Sequence, residues 1–232
     1  MTNSITVVDY FLPGEEITDI KSKERQTIIG PGLQRDKNKP NSLVVTQAGR
    51  LHFRAPNTYW IENRKTRYVP KRGDLVVGII TKKSGDVLKV DIGSAELANL
   101  STLAFEGATK KMKPEVEIGD IVYAKLLNAY KDMEPELVCV DQYYKAGPLG
   151  VLTNDGFLIN VNLKLVYFLL NVSNPLLGTL TKKFPYEIVI GLNGKVWMKA
   201  NKAKDILTMC RVFEASENHS EKSISDTCRG QK

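Results

Sequence analysis

Carboxylates, histidines, cysteines and lysines are the side chains of this 232-residue chain that could do chemistry. Asp132, Glu134 and Glu136 stand close enough in sequence to hold Mg²⁺ for phosphodiester cleavage. Pro135 lies among them and the surrounding composition is turn-like, which reads better as a solvated hairpin loop. His52 and His219 lie far apart, and neither has a Cys or a second His at metal-ligand spacing. Cys139, Cys210 and Cys228 form no C-x-x-C pair and are odd in number, which fits a reducing compartment without a disulfide framework. No Ser-His-Asp or Cys-His set is arranged along the chain. The expectation is a protein with no catalytic residue, no metal site and no cofactor.

Lysines offer a different chemistry. Lys82, Lys83 and Lys89 lie on or near one candidate hairpin, and Lys110, Lys111 and Lys113 cluster in the following loop. Ammonium groups that line a groove neutralise phosphates and give affinity with little base readout. A charge run can equally be an ordinary solvated face, so an RNA surface requires the two clusters to converge on one side. Net charge is +7, from 33 basic and 26 acidic residues, and favours a polyanionic partner. Phe105 and Tyr123 could stack on bases, although each also reads as core. Weak, salt-sensitive, sequence-tolerant RNA binding is expected.

The segment Glu187–Ala200 reads E-I-V-I-G-L-N-G-K-V-W-M-K-A. Asn193-Gly194 between alternating apolar residues predicts a hairpin with a type I′ turn, whose two central residues need φ > 0. Gly191, Asn193 and Gly194 also spell the G-x-x-G loop with which KH domains clamp nucleic-acid backbone, but that clamp joins two helices. Here the flanks are strands, so a structural turn is the better reading. No G-x-x-G lies between the two candidate helices, where Asn171-Val172-Ser173-Asn174-Pro175 stands instead. Trp197 alternates with Val196 and Met198 and reads as a core or interface aromatic.

The elements that must position these groups follow from punctuation and periodicity. Pro13-Gly14 and Gly30-Pro31-Gly32 break the first part of the chain. Two hairpins are expected, Leu43–Thr46 with Arg50–Phe53, and Tyr59–Ile61 with Thr66–Val69. From Val69 to Val140 five short strands are expected, with a bend or bulge at Gly78 and a turn over Lys82–Asp86. Such a run suits an OB-type Greek-key barrel. Strand-like stretches follow around Asn154-Asp155-Gly156. Asn162 can cap a helix over 163–170, Pro175 can open a second, and a third is expected over 203–215. The fold class is therefore mixed α and β and multidomain. Residues 1–68 form a small β domain, 69–145 the barrel, 146–216 an α/β domain and 217–232 a flexible tail. No apolar run approaches the roughly 18 residues of a membrane helix, and Met1–Leu12 lacks the pattern of a secretory signal.

An ordered series of longer words is more specific. It includes G-P-G-L at Gly30–Leu33, R-Y-V-P at Arg67–Pro70, G-D-L-V-V-G-I at Gly73–Ile79 and V-D-I-G at Val90–Gly93. A-F-E-G-A-T-K at Ala104–Lys110, G-D-I-V-Y-A at Gly119–Ala124 and M-E-P-E-L-V-C at Met133–Cys139 follow, and G-L-N-G-K-V-W-M-K at Gly191–Lys199 closes the series. With these words the chain resembles the S1–KH cap subunits of the eukaryotic RNA exosome, in their ribosomal-RNA-processing branch. The resemblance covers nearly all of the chain except the first dozen residues and the tail. It implies an N-terminal β domain, an S1-type OB barrel and a KH-like domain. It also implies a non-catalytic place on a ring of RNase-PH-like subunits, beside other cap proteins, where single-stranded RNA threads toward separate nucleases. A nuclear and nucleolar location with a cytoplasmic pool is implied in the same way. Residues that could meet ring or cap partners are Gly30, Pro31, Gly32, Leu33, Arg64, Lys65, Arg67 and Trp197. The alternative is a free-standing RNA-binding module in ribosome assembly or translation.

Overall fold

The computed structural model describes residues 5–18, 27–37, 39, 42–55, 57–63, 67–130, 132–170 and 175–217. Arg64, Lys65, residues 171–174 and the tail after 217 lie outside the described residues. The chain forms two compact units, Met1–Lys65 and Thr66–Lys232.

Among the described residues the first unit contains β-strands and no helix. Its strands are β1 (Ile5–Phe11), β2 (Glu16–Ile17), β3 (Ile28–Ile29), β4 (Leu33–Arg35), β5 (Leu43–Val45), β6 (Gly49–Arg54) and β7 (Thr58–Glu62). They form two sheets, β1-β6-β7-β3 and β2-β5-β4. Alternation along β5, β6 and β7 turns Leu43, Val45, Leu51, Tyr59 and Ile61 into one core. Neither expected hairpin is present. β5 pairs with β2 and β4, not with β6. β7 pairs with β6, with Arg54 opposite Thr58, and Arg67–Val69 is not strand. Short apolar runs separated by three or four residues look adjacent in sequence, but the buried faces of β5 and β6 belong to different sheets.

The second unit begins with a closed barrel of β8 (Leu75–Ser84), β9 (Val87–Asp91), β10 (Ala98–Ser101), β11 (Ile121–Asn128) and β12 (Glu136–Val138). Pairing runs β8-β9-β10-β12-β11 and returns to β8, with only the β10–β12 contact parallel. β11 shows the sequence logic: Val122, Ala124 and Leu126 turn inward while Lys125 faces water. Leu88, Val90, Ile92 and Leu100 are fully buried in the same core, each contributing about 1.5–3 kcal/mol by its removal from water. The bulge expected at Gly78 falls instead between Ile80 and Lys82. Gly78 is an inward position where an added Cβ would lie 2.3 Å from Val90 Cγ1. The turn is also shorter than expected, because Lys82–Ser84 continue β8 and only Gly85-Asp86 connect to β9.

β13 (Gly150–Val151) adds to the barrel strand β11 and does not form a hairpin with β14 (Phe157–Asn160). β14 opens the α/β part, continued by α1 (Leu163–Leu170), α2 (Pro175–Thr181), β15 (Tyr186–Ile190), β16 (Lys195–Ala200) and α3 (Ala203–Glu217). The sheet order is β14-β16-β15, and the helices cover it through Leu165, Leu169, Leu176, Met209 and Phe213. Asn162 caps α1, accepting from Lys164 N at 3.0 Å through Oδ1. α3 runs two residues past the expected end, where Ser216 is buried and donates to the Val212 carbonyl at 2.6 Å. A small β domain, a five-stranded OB-type barrel and a KH-like α/β domain, as expected, make up the fold.

Candidate nucleic-acid interface

Barrel topology gathers three connections at one end. β10 and β12 are parallel, so the loops leaving them, 102–118 and 139–149, emerge on the same side. Ser101 is level with Val87, which places the Gly85-Asp86 turn there as well. Asp86 ties the turn to the first loop: its carbonyl accepts from Thr102 N at 2.9 Å, and its carboxylate pairs with Lys113. Lys83 Nζ reaches the Val116 carbonyl in a long contact of 3.5 Å. Lys83 and Lys113 are thus brought together at this rim. Lys82 and Lys89 face each other across β8 and β9 on the outer wall.

The six lysines are not equivalent. Lys89 is half-buried and binds Glu134 at 2.7 Å, while Asn99 Nδ2 donates to the same carboxylate at 2.7 Å. Those two donors hold the Glu134 carboxyl below the usual carboxylate range. Lys113 is matched by Asp86. Lys82, Lys110 and Lys111 are exposed and form no ion pair among the described residues. Of the other two carboxylates in the acidic loop, Glu136 accepts from Asn128 Nδ2 at 2.7 Å and Asp132 is exposed. His52 is stacked on Trp60 at 5.4 Å and bonded to Glu62 at 2.7 Å. Phe105 packs against the barrel core, and burial raises the Tyr123 hydroxyl.

The G-L-N-G turn differs from its expected type. Gly191 N bonds the Lys195 carbonyl at 2.9 Å and Gly194 N bonds the Gly191 carbonyl at 3.1 Å. Leu192 and Asn193 are the central residues, and Gly194 follows at φ +85°. This is a three-residue hairpin loop with the left-handed position third, not a two-residue type I′ turn. Asn193 keeps φ < 0 and commits its side chain elsewhere. Its Nδ2 donates to the Val77 carbonyl at 2.7 Å and the Ile92 carbonyl at 2.8 Å, and its Oδ1 accepts from Val77 N at 3.2 Å. Leu192 N adds a bond to the Leu75 carbonyl at 2.8 Å. The turn therefore sits on β8, next to where β9 ends. A Cβ on Gly191 would lie 2.7 Å from Val77 N.

Lys195 and Asp91, which sequence reasoning missed, reinforce this joint. Buried Lys195 donates to the Asp91 carboxylate at 2.8 Å and to its carbonyl at 3.0 Å. Burial pushes the Asp91 carboxyl up, but the Lys195 ammonium and the Gly93 N–H outweigh it and hold it low. A lysine opening an apolar strand directly after G-x-N-G was the available signal.

The remaining candidates are placed as follows. Gly30 N bonds the Tyr59 carbonyl at 2.7 Å, Ile61 N bonds Pro31 O at 2.9 Å and Thr46 N bonds Gly32 O at 2.9 Å. Leu33 is buried in the core of the first unit, so of the four only Pro31 is exposed. This segment is a crossing point inside that unit. Trp197, expected as a core or interface aromatic and named among the partner candidates, lies inside the chain. It is 3% exposed, and a Cβ on Gly156 would lie 2.0 Å from its ring, so the indole is spent inside the chain. Arg67 is exposed and lines a cleft of about 530 Å³ with Tyr68, Asp91, Asn160 and Lys195.

Known proteins share this architecture. Residues 68–150 match the family described as exosome complex component RRP40, S1 domain, and 156–204 match a KH domain family. Residues 10–64 match the N-terminal region of the mammalian exosome complex component RRP40. The chain is 42% identical to exosome complex component RRP40 of Drosophila melanogaster, over 98% of this chain and 96% of that one. It is 42% identical to the Homo sapiens protein of the same name, covering 83% and 71%. A crystal structure provisionally described as an exosome complex RNA-binding protein shares the fold, with a TM-score of 0.58, 22% identity, and coverage of 70% and 95%. With its S1 barrel followed by a KH domain, the chain belongs to the RRP40 family of exosome components.

Proposed function

We propose that this chain is an RNA-binding, non-catalytic cap subunit of the RNA exosome. In this reading it stabilises a ring of RNase-PH-like subunits and guides single-stranded RNA into it for 3′-to-5′ processing and decay by partner nucleases. The observation that carries the reading is the barrel rim: Lys110 and Lys111, exposed and without an ion pair among the described residues, belong to the loop that Lys113 ties to Asp86 and that Lys83 meets at the Val116 carbonyl. Unpaired ammonium groups on a small barrel attract phosphates without selecting bases, which suits a guide that must pass many sequences. The scaffold half rests on the Asn193 and Lys195 bonds to β8 and Asp91, which fix the α/β part on the barrel. Arg67 and the first unit, with Arg64 and Lys65, are assigned to contacts with ring or cap neighbours. The non-catalytic role is supported by the engagement of Glu134, Glu136 and His52 in local bonds. A nuclear and nucleolar protein with a cytoplasmic pool fits this role.

The test is affinity purification of the tagged protein from its own cells at moderate salt, read by mass spectrometry. Recovery of RNase-PH-like subunits and the other cap proteins is expected. Recovery of the chain alone, or with ribosomal proteins, would replace the scaffold reading with a free-standing RNA-binding module.

A further inference from the structure

The hydrogen-bond pattern of the Gly191–Lys195 turn occurs a second time, between Asp141 and Lys145. Asp141 N bonds the Lys145 carbonyl at 2.8 Å and Tyr144 N bonds the Asp141 carbonyl at 3.1 Å. The third loop position is again left-handed, but there it is Tyr144, at φ +59°. Glycine occupies that position at no steric cost, whereas a bulky aromatic is strained by about 1–3 kcal/mol. The surroundings hold the strain in place. The Asp141 carboxylate accepts from Tyr143 N at 2.7 Å and Lys145 N at 3.0 Å, and Glu106 accepts from Ala146 N at 2.7 Å. Consecutive amides of the loop are thus satisfied locally, and the two rings are left outside, Tyr143 73% and Tyr144 81% exposed.

The loop also has a defined neighbour. Cys139 N bonds the Ala104 carbonyl at 3.0 Å and Ala146 reaches Glu106, so both its ends are tied to the segment that leads into Lys110 and Lys111. Lys145 is exposed and adds a third ammonium without an ion pair among the described residues. Exposed rings on a hydrogen-bonded loop, tied to the segment that leads into lysines without ion pairs among the described residues, supply the two components of a sequence-tolerant single-strand site, one for base faces and one for phosphates.

The geometry points to Tyr143 and Tyr144 as a base-stacking platform for single-stranded RNA, with Lys110, Lys111 and Lys145 holding the backbone beside it. This rests on the reading that the chain engages RNA and assigns the place where bases, and not only phosphates, are held. Charge favours RNA over a protein partner, since lysine is depleted at protein–protein interfaces, whereas Lys110, Lys111 and Lys145 carry no ion pair among the described residues.

The test uses the full chain and a labelled oligouridylate of about a dozen nucleotides, with an oligoadenylate of equal length, across a salt series. Tyr144→Gly removes the ring and relieves the backbone, so its melting temperature is expected to stay level or rise. The same variant should bind both oligonucleotides about ten-fold more weakly, with the slope of affinity against salt unchanged because no phosphate contact is lost. Tyr143→Ala should act in the same direction. Wild-type binding by Tyr144→Gly and by Tyr143→Ala overturns the platform while leaving RNA guidance intact. Loss of a protein partner from the purified complex, with RNA affinity unchanged, assigns the loop to protein contact and also overturns it. Failure of the wild-type chain to bind either oligonucleotide at low salt removes the RNA reading itself.

Discussion

The side-chain amide of Asn193 binds the backbone N–H and C=O of Val77 as a neighbouring strand would, accepting from the N–H at 3.2 Å and donating to the carbonyl at 2.7 Å. The pairing of β9 with β8 ends at Ile79–Asp91, so Val77 has no β9 partner. A buried edge with free peptide groups would be costly, and one side chain from the turn of another sheet completes it. The same Nδ2 also takes the Ile92 carbonyl, at 2.8 Å, where β9 has just ended. Asn193 therefore joins two barrel strands and the β15–β16 hairpin at one point.

Replacing Asn193 by Leu keeps the branched shape, with bulkier methyl groups, and removes every one of these bonds. Val77 N, Val77 O and Ile92 O would stay buried without partners, a loss of about 2–4 kcal/mol. The expected result is a lower denaturation midpoint together with faster amide exchange at Val77. If Val77 exchange is as slow as in the wild type, the amide does not act as a surrogate strand.

At Gly194 the backbone sits at φ +85°, and an added Cβ would lie 2.7 Å from the Val161 carbonyl oxygen. That oxygen belongs to a fixed segment, since Val161 N is bonded to Gly194 O at 2.7 Å. Gly194→Val combines steric clash with the strain of a β-branched residue in the left-handed region. A cost of about 2–4 kcal/mol, or a melting temperature lower by roughly 5–15 °C, is expected. Gly194→Ala should fall between the two. An unchanged melting temperature for the valine variant would remove the argument.

The difference between what the sequence shows and what it hides is physical. Alternation along β11 and the Asn162 cap are local properties, so the inward face of β11 and the start of α1 are legible directly. The partners of β5 are not, because three residues with one buried face fit any sheet edge of the right register. Asn193-Gly194 is legible as a turn but not as to its type. The type depends on where the Asn193 side chain finds partners, and Val77 lies 116 residues away. Lys89 and Lys110 look alike in sequence, and only the fold brings Glu134 onto one of them. The strain at Tyr144 has no sequence signature, since nothing local marks a tyrosine as standing where a glycine would fit.

The Asp91–Lys195 pair makes stability depend on acid. The Asp91 carboxyl is held below its ordinary value, so the unfolded chain binds its proton more readily than the folded one. The stabilisation is complete above the unfolded carboxylate value of about 3.9 and is lost as pH falls through the lower folded value. Asp91 is 42% exposed on its side chain, and solvent screening limits the effect to about 1 kcal/mol. Asp91→Asn should therefore be less stable than wild type at pH 7, with the gap closing under acid. A gap constant from neutral to strongly acidic pH would show that packing, not charge, accounts for the loss.

Lysine substitutions separate free ammonium groups from matched ones. Counterion release makes the logarithm of RNA affinity fall with the logarithm of salt, by about 0.7 in slope for each phosphate contacted on a single strand. Lys110 and Lys111 have no ion pair among the described residues, so Ala at both should lower the slope by about 1.4 if each meets one phosphate. Lys89 is held by Glu134, so Lys89→Ala should leave the slope nearly unchanged and instead release the Glu134 carboxyl toward its ordinary range. The two readouts, salt titration of binding and carboxyl titration by NMR, assign the two roles independently. Equal slope changes for Lys89→Ala and for either rim lysine would mean that Glu134 gives Lys89 up when RNA arrives, and that the phosphate path includes the outer wall of β8 and β9 as well as the rim.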